Sequence, residues 1–297
     1  MIRTILVPTT HDVDFADCLR FAIPLAERFC GHLGVLFVLP DPRAAIPFMG
    51  EGLTADVIQD LVEAAEREGK LRSTKARARF EEAIRAAGIE ENDGLDAHDR
   101  PTASFEEVVG LVADRVGRAG RIHDLTIVPQ PTAPHQPDAE EIFNEALFRS
   151  GRPVIVAPAA DGSEREGGVP DGDAVIGEQV MIAWNGRAEV ARAVSDALPI
   201  IARATRVDLL VVGEEHPDRP DAEQLRGYLR RHGIDSRIRR TEQQGPVGET
   251  ILAEATALGS DLLVMGAYSH SRWREMIIGG VTRHAVHHSP IPLFLSH

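Results

Sequence analysis

An internal repeat constrains this chain more than any other feature. Ile5-Leu6-Val7-Pro8-Thr9-Thr10 returns 175 residues later as Val180-Met181-Ile182-Ala183-Trp184-Asn185. At the same offset Ala22-Ile23-Pro24-Leu25 falls on Ala197-Leu198-Pro199-Ile200, so a strand followed by a helix with proline in its later half occurs twice in one register. The next apolar runs also match, Leu33 to Val38 with Val207 to Val212, and Asp124 to Pro129 with Asp261 to Gly266. Each half closes on a proline-led run, Arg152 to Ala157 and Ile291 to Ser296. A repeat of this kind sets the architecture before any motif is read.

The repeated runs are short and continuously apolar, the pattern of strands buried on both faces, and they alternate with helical stretches of ten or more residues. That order predicts an α/β fold: two doubly wound parallel-sheet domains in tandem, with helices on both sides and right-handed crossovers. The first domain is expected over residues 1–160 and the second over 179–297, joined by a linker, 161–178, that is rich in Gly, Asp and Glu and has no apolar period. Relative to the second copy, the first holds about 37 extra residues within 41–92, read mainly as a polar helix from about Thr54 to Ala87 ending at Gly88. Leu61, Val62, Ala65, Leu71, Phe80 and Ile84 give it a partial apolar face, suited to packing on its own domain or to a partner.

Composition excludes several functions. Acidic residues outnumber basic ones, 46 to 32, and no Lys/Arg stripe stands out, which argues against nucleic-acid partners. The chain opens directly on a strand, without a signal peptide, and no apolar run approaches the length of a membrane span, so a cytoplasmic protein with no membrane partner is expected. Cys18 and Cys30 lie twelve residues apart on one predicted helix, too far to pair, and are read as structural thiols. His284, His287 and His288 have no Cys or carboxylate near them in sequence to complete a ligand set, so a solvated helix end is expected and no metal site.

Ligands of open α/β sheets bind beyond the carboxyl ends of the strands, where strand order reverses. In the second half this places Asn185 after the first strand, and Gly266, Ser269, His270, Arg272, Gly279, Gly280, Val281 and Thr282 after the fourth. Glycine at a strand exit and a glycine pair before a helix suit a backbone that approaches phosphate, with His270 and Arg272 as charge partners. The equivalent stretch of the first half carries Pro129, Pro131, Pro134 and Pro137, and prolines remove the amide donors an anion nest needs.

Gly266-x-x-Ser269, nine residues, then Gly279-Gly280-Val281-Thr282 resembles the signature of the universal stress protein family: Gly-x-x-Gly, nine residues, Gly-Ser/Thr. Gly280 to Leu293, Gly245 to Leu252 and Ala183 to Gly186 extend the likeness over the second half, while the first half matches in pattern but not in its ligand loop. The resemblance implies the adenine-nucleotide alpha hydrolase-like, Rossmann-like fold, with ATP or a related adenine nucleotide as ligand, its base near strand one and its phosphates in the Gly-rich loop. Mg²⁺ is implied only with a triphosphate. Ser269 stands where the second Gly is usual, Gly280 where Ser or Thr is usual, and Asn185 where an acidic residue is often found. The expected function is nucleotide binding or sensing in a stress response through the second half, with no chemistry beyond slow ATP hydrolysis. The alternative is a ligand-free structural scaffold that binds protein partners. The family's last strands pair across a two-fold axis, which implies an intramolecular pseudo-dimer here and leaves a homodimer open.

Overall fold

A computed structural model describes residues 1–10, 13–42, 54–95, 99–131, 137–159, 174–267 and 280–297. The first half runs β1 (Thr4–Thr9), α1 (Ala16–Phe29), β2 (His32–Leu39), α2 (Ala55–Ala86), β3 (Glu90–Glu91), β4 (Thr102–Val109), α3 (Val112–Gly120), β5 (Leu125–Pro129), α4 (Pro137–Arg149) and β6 (Val154–Ala157). The second runs β7 (Gln179–Ala183), α5 (Ala188–Ile201), β8 (Arg206–Val212), α6 (Ala222–Arg231), β9 (Arg237–Thr241), α7 (Val247–Ala257), β10 (Leu262–Gly266), α8 (Gly280–His288) and β11 (Leu293–Ser296).

All the strands join one sheet in the order β3-β4-β2-β1-β5-β6-β11-β10-β7-β8-β9. Strands within each half are parallel, and the order β4-β2-β1-β5-β6 is mirrored by β9-β8-β7-β10-β11. The mirror line is an antiparallel pairing of β6 with β11, in which Val154, Ile155 and Val156 face Leu295, Phe294 and Leu293. All six side chains are buried, so the two apolar edges expected from sequence shield each other inside one chain.

Because successive strand residues point to opposite faces, the junction feeds two cores at once. Ile155 and Phe294 join the cluster packed by α1, α2, α5 and α6, represented by Leu19, Phe80, Val194 and Leu225. Val154, Val156, Leu293 and Leu295 join the cluster under α3, α4, α7 and α8, represented by Val116, Ile142, Ile251 and Val286. Pro24 and Pro199 sit inside α1 and α5, as the repeat predicts.

The long helix agrees with its sequence boundaries, ending at Gly88 with a φ of +67°. α2 occupies the crossover that the ten-residue α6 fills in the second half, so the extra residues mainly lengthen an existing helix. Its apolar face is divided: Phe80, Ala83 and Ile84 are buried on the sheet, whereas Val57, Leu61 and Leu71 stay exposed.

Cys18 is fully buried, which pushes its thiol well above the usual range, and Cys30 lies just past the end of α1 in the left-handed conformation rather than within the helix. No helix among the described residues is long and apolar enough to cross a membrane.

Candidate functional site

In the second half the strand order reverses between the parallel neighbours β7 and β10, and a cleft of about 340 Å³ opens there at their carboxyl ends. Three helices begin beside it, supplying Glu189 and Val190 from α5, Val247 and Ile251 from α7, and Gly280, Val281 and Thr282 from α8. The first N–H groups of a helix have no intrahelical partner and carry the positive end of its dipole, so three helix starts around one hollow favour an anion. The apolar wall is made by Leu210, Val212, Val247, Ile251 and Met265. A smaller recess of about 90 Å³ shares Trp184, Asn185 and Val212 with the cleft and reaches His216 and Arg219.

The exit of β7 is held rigidly. Trp184 is nearly buried and its indole donates to the Pro220 carbonyl at 2.9 Å. Asn185 Oδ1 accepts from the Arg187 backbone N–H at 3.1 Å, so the side-chain group left to a ligand is its Nδ2 donor. Gly186 has a φ of +68°, and a Cβ there would meet the Pro220 carbonyl oxygen at 2.7 Å. No other residue fits that turn comfortably.

Five of the residues predicted from sequence, Asn185, Gly266, Gly280, Val281 and Thr282, line this one cleft. Ser269, His270, Arg272 and Gly279 lie outside the described residues. Gly266 also serves packing. A Cβ on it would lie 2.5 Å from the Val190 backbone nitrogen and 2.8 Å from the Glu189 carbonyl carbon, so the glycine admits the start of α5. At Gly280 an added Cβ meets nothing within 4 Å among the described residues.

Sequence reasoning missed Arg187 and Glu189, which bring a cation and a carboxylate to the cleft from the start of α5. They are remote in sequence from the Gly-rich stretch, and their only local signal is their position just after a strand and a glycine. Gly248 was also read without its reason. Its Cβ would come within 3.1 Å of His284, so it lets α7 and α8 approach.

In the first half the exit of β1 is tied to α4 by hydrogen bonds. Thr9 and Thr10 are buried at the exit of β1, with Thr9 Oγ1 donating to the Val13 carbonyl at 2.9 Å and Thr10 Oγ1 to Asp138 Oδ2 at 2.8 Å. Asp138 belongs to the first turn of α4, so an internal carboxylate sits at the helix start where a bound anion would sit. Gln130 Nε2 donates across to the Ser289 carbonyl, and His287 Nδ1 lies 2.6 Å from the Pro131 carbonyl oxygen, tying the exit of β5 to α8 of the other half. His287 therefore serves the junction, while the rings of His284 and His288 stack at 4.5 Å.

A larger hollow, about 860 Å³, lies between α2 and the carboxyl ends of β2 and β4. Its charges are mixed: Lys70 and Arg77 face Glu66, Glu81 and Glu107, and Arg77 is already paired with Glu81 and Glu91. No helix start contributes to its lining, so it lacks the main-chain donors that the smaller cleft has.

Residues 214–297 match the family described as the universal stress protein family. Across 99% of this chain and 97% of the other, the fold is similar to that of a universal stress protein from Archaeoglobus fulgidus DSM 4304, at 17% identity and a TM-score of 0.66. A functionally unknown protein from Pseudomonas aeruginosa PAO1 is similar over 99% of this chain and 92% of its own, at 14% identity and a TM-score of 0.52. No match to the chain is found among curated proteins.

Proposed function

We propose that this chain, whose C-terminal segment belongs to the universal stress protein family and whose full length shares the fold of such a protein, binds an adenine nucleotide in the cleft of its second half and acts as a nucleotide sensor. The observation that carries this reading is the convergence of the starts of α5, α7 and α8 on one hollow with an apolar wall. Phosphates are held by main-chain donors at Gly280, Val281 and Thr282, with Arg187 as the cation from the described residues and Arg272 as a second from sequence. The base lies toward Trp184, Asn185 and Val212, where the recess deepens. Mg²⁺ enters only with a triphosphate.

The first half supports the fold and carries no nucleotide, a reading supported by the Thr10–Asp138 hydrogen bond in the place a ligand would need. The ligand-free scaffold draws on one observation, the Glu189 carboxylate in the cleft, which repels phosphate unless it is neutralised.

Titration separates these readings. Arg187→Ala weakens ATP binding by about tenfold to a hundredfold, because a charge-assisted contact is worth about 1.5–3 kcal/mol. Adenosine, which has no phosphate to pair with a guanidinium, binds the variant and the wild type alike. Equal losses for both ligands would make Arg187 a wall of the pocket, and absence of ATP binding by the wild type would favour the scaffold.

A further inference from the structure

The two outer edges of the sheet carry opposite charge. At one end β9 reads Arg237-Ile238-Arg239-Arg240-Thr241 and pairs only with β8. Arg239 and Arg240 keep about half of their side chains exposed, at 47% and 51%, although Arg239 approaches Asp208 and Arg240 pairs with Glu215. At the other end β3 is Glu90-Glu91 and β4 carries Glu106 and Glu107, all four exposed. Glu90 pairs with Arg100, Glu91 with Arg77, and Glu107 accepts from Ser73. β3 covers only Thr102 and Ala103 of β4, so among the described residues the outer side of Ser104 to Val109 has no strand beside it in the sheet.

Charges on edge strands ordinarily prevent sheets from joining. Here they do so only between like edges. Two arginine edges repel, as do two glutamate edges, but the arginine edge of one molecule and the glutamate edge of another attract. Length and direction also agree. β9 spans five residues against six open ones on β4, and the antiparallel junction of β6 with β11 makes β9 run opposite to β4. A second copy placed beside β9 in the same orientation would therefore offer β4 in an antiparallel register.

We propose that the arginine edge at β9 docks the glutamate edge at β4 of a second copy of this chain, extending the sheet from molecule to molecule. Such a contact is heterologous, so each added copy leaves one free edge of each kind and growth does not stop at a dimer. The net charge of −14 opposes the approach of copies elsewhere on the surface. Association is therefore confined to these edges and seen at high protein concentration.

Sedimentation velocity on the full chain tests this with two reversals. Arg237→Glu with Arg240→Glu makes both edges acidic, and Glu106→Arg with Glu107→Arg makes both basic. Arg239 is left alone because, with Arg206, it faces the buried Asp208 carboxylate. The average mass of the wild type is expected to rise with concentration without a plateau at the dimer. Each variant loses that rise, its dissociation constant increasing by about tenfold or more as attractive cross-strand pairs become repulsive. An equimolar mixture of the two variants associates again. Should a double variant fail to fold, judged by its thermal melt, the single changes Arg237→Glu and Glu106→Arg give the same test with a smaller shift. A wild type that keeps the monomer mass at its solubility limit overturns the proposal. So does a plateau at the dimer that neither reversal changes, or variants that stay apart when mixed.

Discussion

Phe80→Ala is expected to lower the free energy of unfolding by about 3–5 kcal/mol, the usual cost of removing a fully buried aromatic side chain. Phe80 has no exposed surface, and its ring lies 5.6 Å from that of Phe105, which in turn stacks on Phe37 at 6.0 Å. This aromatic column fastens the later part of α2 to β4 and β2. Leu71, on the same helix and about half exposed, has no such anchorage. Leu71→Ala should change stability by no more than about 0.5 kcal/mol. Urea unfolding of the two variants checks the contrast. Equal losses would mean that Leu71 is packed as tightly as Phe80.

Gly266→Ala should cost about 1–3 kcal/mol or more, although it adds one methyl group. Its added carbon would collide with main-chain atoms of Val190 and Glu189 at 2.5 and 2.8 Å, and main-chain atoms cannot turn aside as a flexible side chain can. Either β10 or the start of α5 must move, and the cleft lies between them. Nucleotide affinity should therefore fall together with stability. Gly280→Ala is the control, since its Cβ enters open space at the first position of α8 and is expected to leave the urea midpoint unchanged or raise it. If Gly266→Ala unfolds at the wild-type midpoint, the close approach of β10 to α5 does not exist in solution.

The repeated apolar runs made the sheet legible, because a run buried on both faces and followed by a helix leaves little choice but a parallel strand. Their registered offset made the duplication legible, and the pairing of the two last strands followed from the family resemblance. The span of α2 could be read from its periodicity and from Gly88, but its equivalence to α6 could not. That equivalence depends on which crossover the helix fills, a relation in space with no local sign. At the site, Asn185, Gly266, Gly280, Val281 and Thr282 converge as the strand-exit rule anticipates. The reason for Gly266 was hidden, because the same residue type serves a phosphate or a neighbouring helix. Arg187 and Glu189 escaped notice because they enter from the other side of the crevice. In the first half the Thr10–Asp138 bond joins residues 128 positions apart, and no pattern announces it.

Calorimetric titration of ATP into the wild type and into Gly280→Trp decides whether the second-half cleft binds nucleotide. Among the described residues nothing lies within 4 Å of a Gly280 Cβ, so a large side chain there enters at the cleft. The wild type should take up one ATP per chain, and the variant, with an unchanged thermal melt, should take up none. A wild type that shows no heat of binding, or a folded variant that binds ATP as well as the wild type, would contradict the assignment.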